Sequence, residues 1–292
     1  MRDPVRHAPA GEEAGGQGTA APGFPEPGGA SPGLGTLLRS GQWSQATEFA
    51  RRERLDVDVQ DALDLLPAFQ AHVRARRYPG ARMALSAYRT ALGRAPATAP
   101  ERAAVEFAVS PDDLDAALAA LDHLQQETDA GRLASGLAPA LAHPLTRAEA
   151  LNMQGVQAAM LGDTAGSRAH LEAALQADPG HYRALTNLGN LDLEAGDAAG
   201  AEVHYRQVIA LNPDYDGGHH NLGVALRRQG KIGESVAAIR RGQRLSVKRS
   251  QDDSKADAQD QLARSPALRT LRWALLAALG FGMVALMRAG GG

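Results

Sequence analysis

The chain has 292 residues, a formal net charge of -2 and no cysteine, so disulfides, thiolate catalysis and thiolate metal sites are excluded and no global field draws it to a nucleic acid. Aromatic residues make up only 4%, and Ala and Leu supply most of the apolar content. That composition suits closely packed helix pairs better than a sheet core of bulky β-branched side chains.

Residues 1–33 consist of Pro, Gly, Ala and a few charges, with Phe24 as the one aromatic. Such a stretch buries too little apolar surface to offset the entropy of ordering, so a disordered tail is expected. It has no apolar run of signal-peptide length, and no Sec export is expected from this end. Lysine occurs only at 231, 248 and 255; the excess of Arg and Ala reads as GC-rich bacterial coding.

Residues 34–93 read as two helix pairs. Leu34, Leu37 and Leu38 begin a helical pattern, Gly41 breaks it, and Trp43, Ala46, Phe49 and Ala50 resume it. Trp43 is expected to pack the pair. A helix over Asp58–Arg76 is predicted to be interrupted at Pro67. Arg77 to Ala81 reads as the next turn, with Met83, Ala84, Leu85, Tyr88 and Leu92 as core positions of the helix that follows.

Residues 94–146 read as a helical connecting section. Ala95–Pro100 is a linker, and Ser110-Pro111-Asp112-Asp113 is a helix start, with Ser as N-cap, Pro at the first turn and acids behind it. Leu114, Leu118, Leu121 and Leu124 form one apolar stripe, and a further short helix is expected over Leu133–Ala142. Thr146 and Glu149 have the spacing of a capping box. His123 and His143 are read as solvated or packing side chains.

Residues 147–250 hold three copies of one unit. Gly155, Gly189 and Gly223 recur 34 residues apart, as do Gly162, Gly196 and Gly230, and Pro179 with Pro213. The fullest copy reads Leu185, Leu188-Gly189, Gly196-Asp197, Ala201, Tyr205, Val208, Leu211 and Pro213. This resembles the tetratricopeptide repeat, a helix–turn–helix unit of that period. The resemblance implies an all-α solenoid whose first helices line a concave, ligand-binding side. Carried over residue by residue, it makes Asn152, Arg183, Asn187, Asn190, His220, Asn221, Arg227 and Arg228 the candidate groove. Asparagine amides both donate and accept, so they can pair with an extended peptide backbone. The arginines would favour an acidic residue or a free C-terminal carboxylate. The set resembles part of the carboxylate clamp of chaperone-binding members, without that clamp's lysines.

His204, His219 and His220 do not have metal-ligand spacing. No phosphate loop, catalytic triad or cofactor fingerprint appears. No enzymatic activity, metal or cofactor is expected. Arg227 to Arg249 carries eight basic residues against one acid, Glu234, without interleaved aromatics. That favours an anionic membrane surface or an acidic partner over a nucleic acid; a solvated capping face remains the alternative.

Residues 251–268 are a charged linker. Within 269–289, Trp273 to Met287 is fifteen residues without charge, led by a Trp and flanked by Arg269, Arg272 and Arg288. The reading taken is a C-terminal membrane anchor that holds the rest on the cytoplasmic side. The alternative is a hydrophobic helix that caps the solenoid, or serves as a docking or self-association surface of a soluble regulator. In either case the expected function is a scaffold that binds a protein or peptide.

Overall fold

A computed structural model of the chain describes residues 33–264, with side chains as far as Gln251. Among the described residues the chain is helical throughout, with fourteen helices and no strand. All of them lie in the unit from Leu34 onward.

The first pair is α1 (Leu34–Arg39) and α2 (Trp43–Arg52). Gly41 turns between them at a φ of +73°, a conformation that favours glycine. Trp43 is buried together with Ala46 and Ala50. The second pair is α3 (Val57–Arg74) and α4 (Tyr78–Arg94). Asp56 caps α3 by accepting from the Asp58 N–H at 2.9 Å. The expected interruption at Pro67 does not occur, and α3 runs through it. A mid-helix proline costs about 3 kcal/mol. That is outweighed by Val59, Leu63, Leu66, Phe69 and Val73, each of which is essentially fully buried and contributes about 1.5–3 kcal/mol. Met83, expected in the core, is 76% exposed. The buried face of α4 is instead the stripe Tyr78, Ala81, Leu85, Tyr88 and Leu92, and Met83 falls opposite it.

The middle section holds four short helices. These are α5 (Pro100–Ala108), α6 (Pro111–His123), α7 (Ala130–Gly136) and α8 (Ala138–Ala142). Ser110 caps α6, and its Leu114, Leu118 and Leu121 are buried. The single helix expected over 133–142 is two, which meet at Leu137. Their leucines join those of α1–α4 in one buried cluster that extends to Met153. The Tyr88 hydroxyl crosses this core to the Val109 carbonyl at 2.6 Å.

Three repeat pairs follow: α9 (Pro144–Met160) with α10 (Thr164–Ala177), α11 (Tyr182–Glu194) with α12 (Ala198–Leu211), and α13 (Asp216–Arg228) with α14 (Ile232–Arg264). Gly162, Gly196 and Gly230 turn each pair at φ +81°, +86° and +76°. Asp163 and Asp197 cap α10 and α12 through matching 2.8 Å bonds from Gly166 and Gly200. The inner glycines set the closeness of each pair. A Cβ at Gly155, Gly189 or Gly223 would sit within 3.0 Å of Leu171, Tyr205 or Ile239 respectively.

None of the described helices is long and apolar enough to cross a membrane. The N-terminal tail and Trp273–Met287 lie outside the described residues.

Candidate functional site: the first-helix asparagines and the joint behind them

The first helices α9, α11 and α13 carry the groove candidates, and their asparagines are bonded from repeat to repeat. Asn187 Nδ2 donates to Asn152 Oδ1 at 2.8 Å, and Asn221 Nδ2 donates to Asn190 Oδ1 at 3.2 Å. The Tyr205 hydroxyl also donates to Asn190 Oδ1, at 2.8 Å. Among the described residues this leaves Asn190 Nδ2 without a partner, along with the carbonyl oxygens of Asn187 and Asn221. One unbonded donor and two unbonded acceptors, all on half-exposed side chains, are groups that an extended backbone can pair with.

The other candidates divide. Asn152 is fully buried and is not a groove surface. Its amide donates to Glu149 Oε2 at 3.3 Å and its carbonyl holds Asn187, so it supports the row from beneath. Arg183 is half-buried, and its Nε is buried with no partner among the described residues. His220, Arg227 and Arg228 are exposed, and Arg228 Nη1 reaches back to the Leu193 carbonyl.

Behind this row lies a polar joint. Glu149 is buried at the centre, with Arg76 Nε 2.5 Å from Oε1 and His181 Nε2 3.0 Å from Oε2. Glu149 therefore does not complete a capping box. His143 caps α9 instead, its Nδ1 accepting from the Leu145 N–H at 3.2 Å, while Thr146 donates to the Ala140 carbonyl at 2.8 Å. His181 Nδ1 accepts the Ala184 N–H, so the ring proton sits on Nε2, facing Glu149. Burial by itself would raise the Glu149 pKa, but the His181 bond and the nearby Arg76 charge outweigh it and hold the carboxyl below its ordinary range. Next to this, Arg74 clamps Asp178 with two bonds, Nε to Oδ2 at 2.5 Å and Nη2 to Oδ1 at 2.7 Å. The turn between α3 and α4 is thus tied to the heads of α9 and α11. Sequence reading missed this joint because its partners stand 73 and 104 residues apart and carry no local signature.

The remaining polar clusters do not form sites. His204 pairs with Asp192 at 2.8 Å, and His219 Nε2 bonds the Pro213 carbonyl. Among the described residues no three His, Asp or Glu side chains are arranged to hold an ion. A cleft of about 670 Å³ lies elsewhere, along α3 and α4. Its acids Asp64 and Asp61 are already paired with Arg51 and Arg94.

A family model described as tetratricopeptide repeat matches residues 182–215. These are α11, its turn and α12, the copy with the Leu188-Gly189 and Tyr205 packing described above. The match identifies this segment as a tetratricopeptide repeat. The flanking pairs share its 34-residue register, its turn glycines and its helix-to-helix contacts. Solved structures of MamA are similar to the chain. One covers 76% of this chain and 99% of its own length, at 14% identity and a TM-score of 0.35. A second covers 66% and 95%, at 16% identity and 0.33. A third, MamA AMB-1, covers 62% and 97%, at 16% identity and 0.36. No curated protein matches the chain.

Proposed function

We propose that the chain is a protein-interaction scaffold whose repeats hold an extended peptide along α11 and α13. The observation that carries this reading is the asparagine row. It presents Asn190 Nδ2 and the carbonyl oxygens of Asn187 and Asn221, and each of these three side chains is held by a hydrogen bond to an asparagine of a neighbouring repeat. Fixed amides bind without the entropy cost of ordering loose side chains. Arg183 on α11 and Arg227 and Arg228 on α13 share the helices of the row and favour a peptide with an acidic side chain or a free C-terminal carboxylate. No bond is made or broken in this role.

The test uses a displayed random-peptide library selected on the full chain. Enrichment of acidic or carboxylate-ended peptides is expected. The Asn187→Ala/Asn190→Ala/Asn221→Ala variant should keep its helicity and bind the selected peptides at least about tenfold more weakly. Equal affinity in the variant would show that the row is not the binding surface.

A further inference from the structure

Two buried histidines cap first helices of the repeats, and only one of them turns its other nitrogen to an acceptor. His181 Nδ1 accepts the Ala184 N–H, and its Nε2 stands 3.0 Å from Glu149 Oε2. His143 Nδ1 accepts the Leu145 N–H at 3.2 Å in the same manner. That bond uses the Nδ1 lone pair, so the ring proton sits on Nε2. This nitrogen is buried and has no partner among the described residues. The His143 side chain belongs to a residue only 6% exposed. A buried N–H without an acceptor is rare in a folded chain, because its hydration is lost and nothing replaces it.

The same ring lines a cavity of about 240 Å³ where α5, α6, α8 and α9 meet. Ala108, Ala116, Pro139 and Pro144 give it small, apolar walls. Asp113 of α6 lines it too, and is exposed. Its backbone N–H is held by Ser110 Oγ, but its carboxylate has no partner among the described residues. Two other acids of that helix are engaged, Asp112 with Arg89 and Asp122 with Arg82. The cavity thus offers one buried donor and one unpaired carboxylate.

These two groups select a ligand. A carboxylate or phosphate would accept from His143 but would be repelled by Asp113. A plain amine would pair with Asp113 but would leave the imidazole N–H facing another donor. A cation with a carbonyl beside it satisfies both. The start of a peptide chain is such a group, since its ammonium and its first carbonyl belong to one residue. A full charge on Asp113 favours that ammonium over a neutral amide, because charge-assisted hydrogen bonds are about twice as strong.

We propose that this cavity binds the free N-terminus of a peptide, its ammonium on Asp113 and its first carbonyl oxygen accepting from His143 Nε2. The walls suit a small first side chain. No residue of the asparagine row lines the cavity, so this site and the row can fail separately.

The probe is alanyl-alanine amide, titrated into the full chain while histidine ring and asparagine amide signals are followed by nuclear magnetic resonance. A saturating shift of the His143 ring signals is expected. The N-acetylated probe, which lacks the ammonium, should bind at least about tenfold more weakly. Asp113→Asn should weaken the free probe by a similar factor, with the Ser110 cap intact because it uses the backbone N–H. Ala116→Leu, at an exposed helical position on the wall, should block the probe without altering the core. His143 signals that stay still, or that move equally with the acetylated probe, would overturn the proposal. So would wild-type affinity in Asp113→Asn. Shifts confined to the asparagine amides would place the probe on the row and not in this cavity.

Discussion

His143 shows how one side chain ties a helix start to pH. Its Nδ1 must keep a lone pair to accept the Leu145 N–H, and burial lowers its pKa to about 4 from an ordinary value near 6.5. The neutral form is thus the folded form. Its contribution is complete above the ordinary value and is lost as pH falls through about 4, because the unfolded chain takes the proton first. On the order of 2–3 kcal/mol should disappear between about pH 6.5 and 4. Chemical denaturation across that range should show the loss, and His143→Asn, which caps without titrating, should flatten that part of the profile. A wild-type profile level to pH 4 would contradict the assignment. Glu149 makes the complementary case. Removing its partner with Arg76→Met leaves a buried carboxylate short of compensation and should cost roughly 3–5 kcal/mol. Adding Glu149→Gln should recover part of that loss, and no recovery would mean that the pair is not coupled. Neither role was legible in the sequence. Thr146 and Glu149 have capping-box spacing, but the buried pull of Arg76 and His181 decides where Glu149 points.

Among the elements, legibility followed periodicity. The repeat helices were readable because each glycine and small residue recurs with a packing reason. Gly189 faces Tyr205 so closely that an added Cβ would lie 2.7 Å from its Cε1. Gly189→Ala should therefore destabilise by about 1–3 kcal/mol, as overpacking does. Gly93→Ala, with nothing within 4 Å, serves as the control on α4. Equal midpoints for the two in a urea titration would refute the close-packing account. Helices without such a stripe were harder to see. α5 buries only Val105 among its nine residues, so its pattern is that of a linker. Pro67 misled in the opposite sense, since a proline signal is local whereas the stripe from Val59 to Val73 acts over the whole of α3. Met83 failed as a core residue because its neighbours already filled the buried face of α4.

For the molecule from Leu34 onward, the sequence divided what packing joins. The helices before the repeats and α9 share one buried cluster, from Leu34 to Met153. Arg74 and Arg76 then bind this part to Asp178 and Glu149 at the heads of the repeat helices. Those contacts hold Asn152, and Asn152 holds Asn187, so the asparagine row rests on the N-terminal helices as well as on the repeats. The row was foreseeable as positions on first helices. Its bonding pattern was not, since it depends on how closely successive repeats stack. The most direct measurement of the central claim is a titration of isotopically labelled protein with one selected peptide, following asparagine side-chain amide signals by nuclear magnetic resonance. The account predicts that the signals of Asn187, Asn190 and Asn221 move together along one saturating curve, while that of buried Asn152 follows only through its bond to Asn187. Shifts confined to the cleft along α3 and α4, with the three asparagines unmoved, would contradict it.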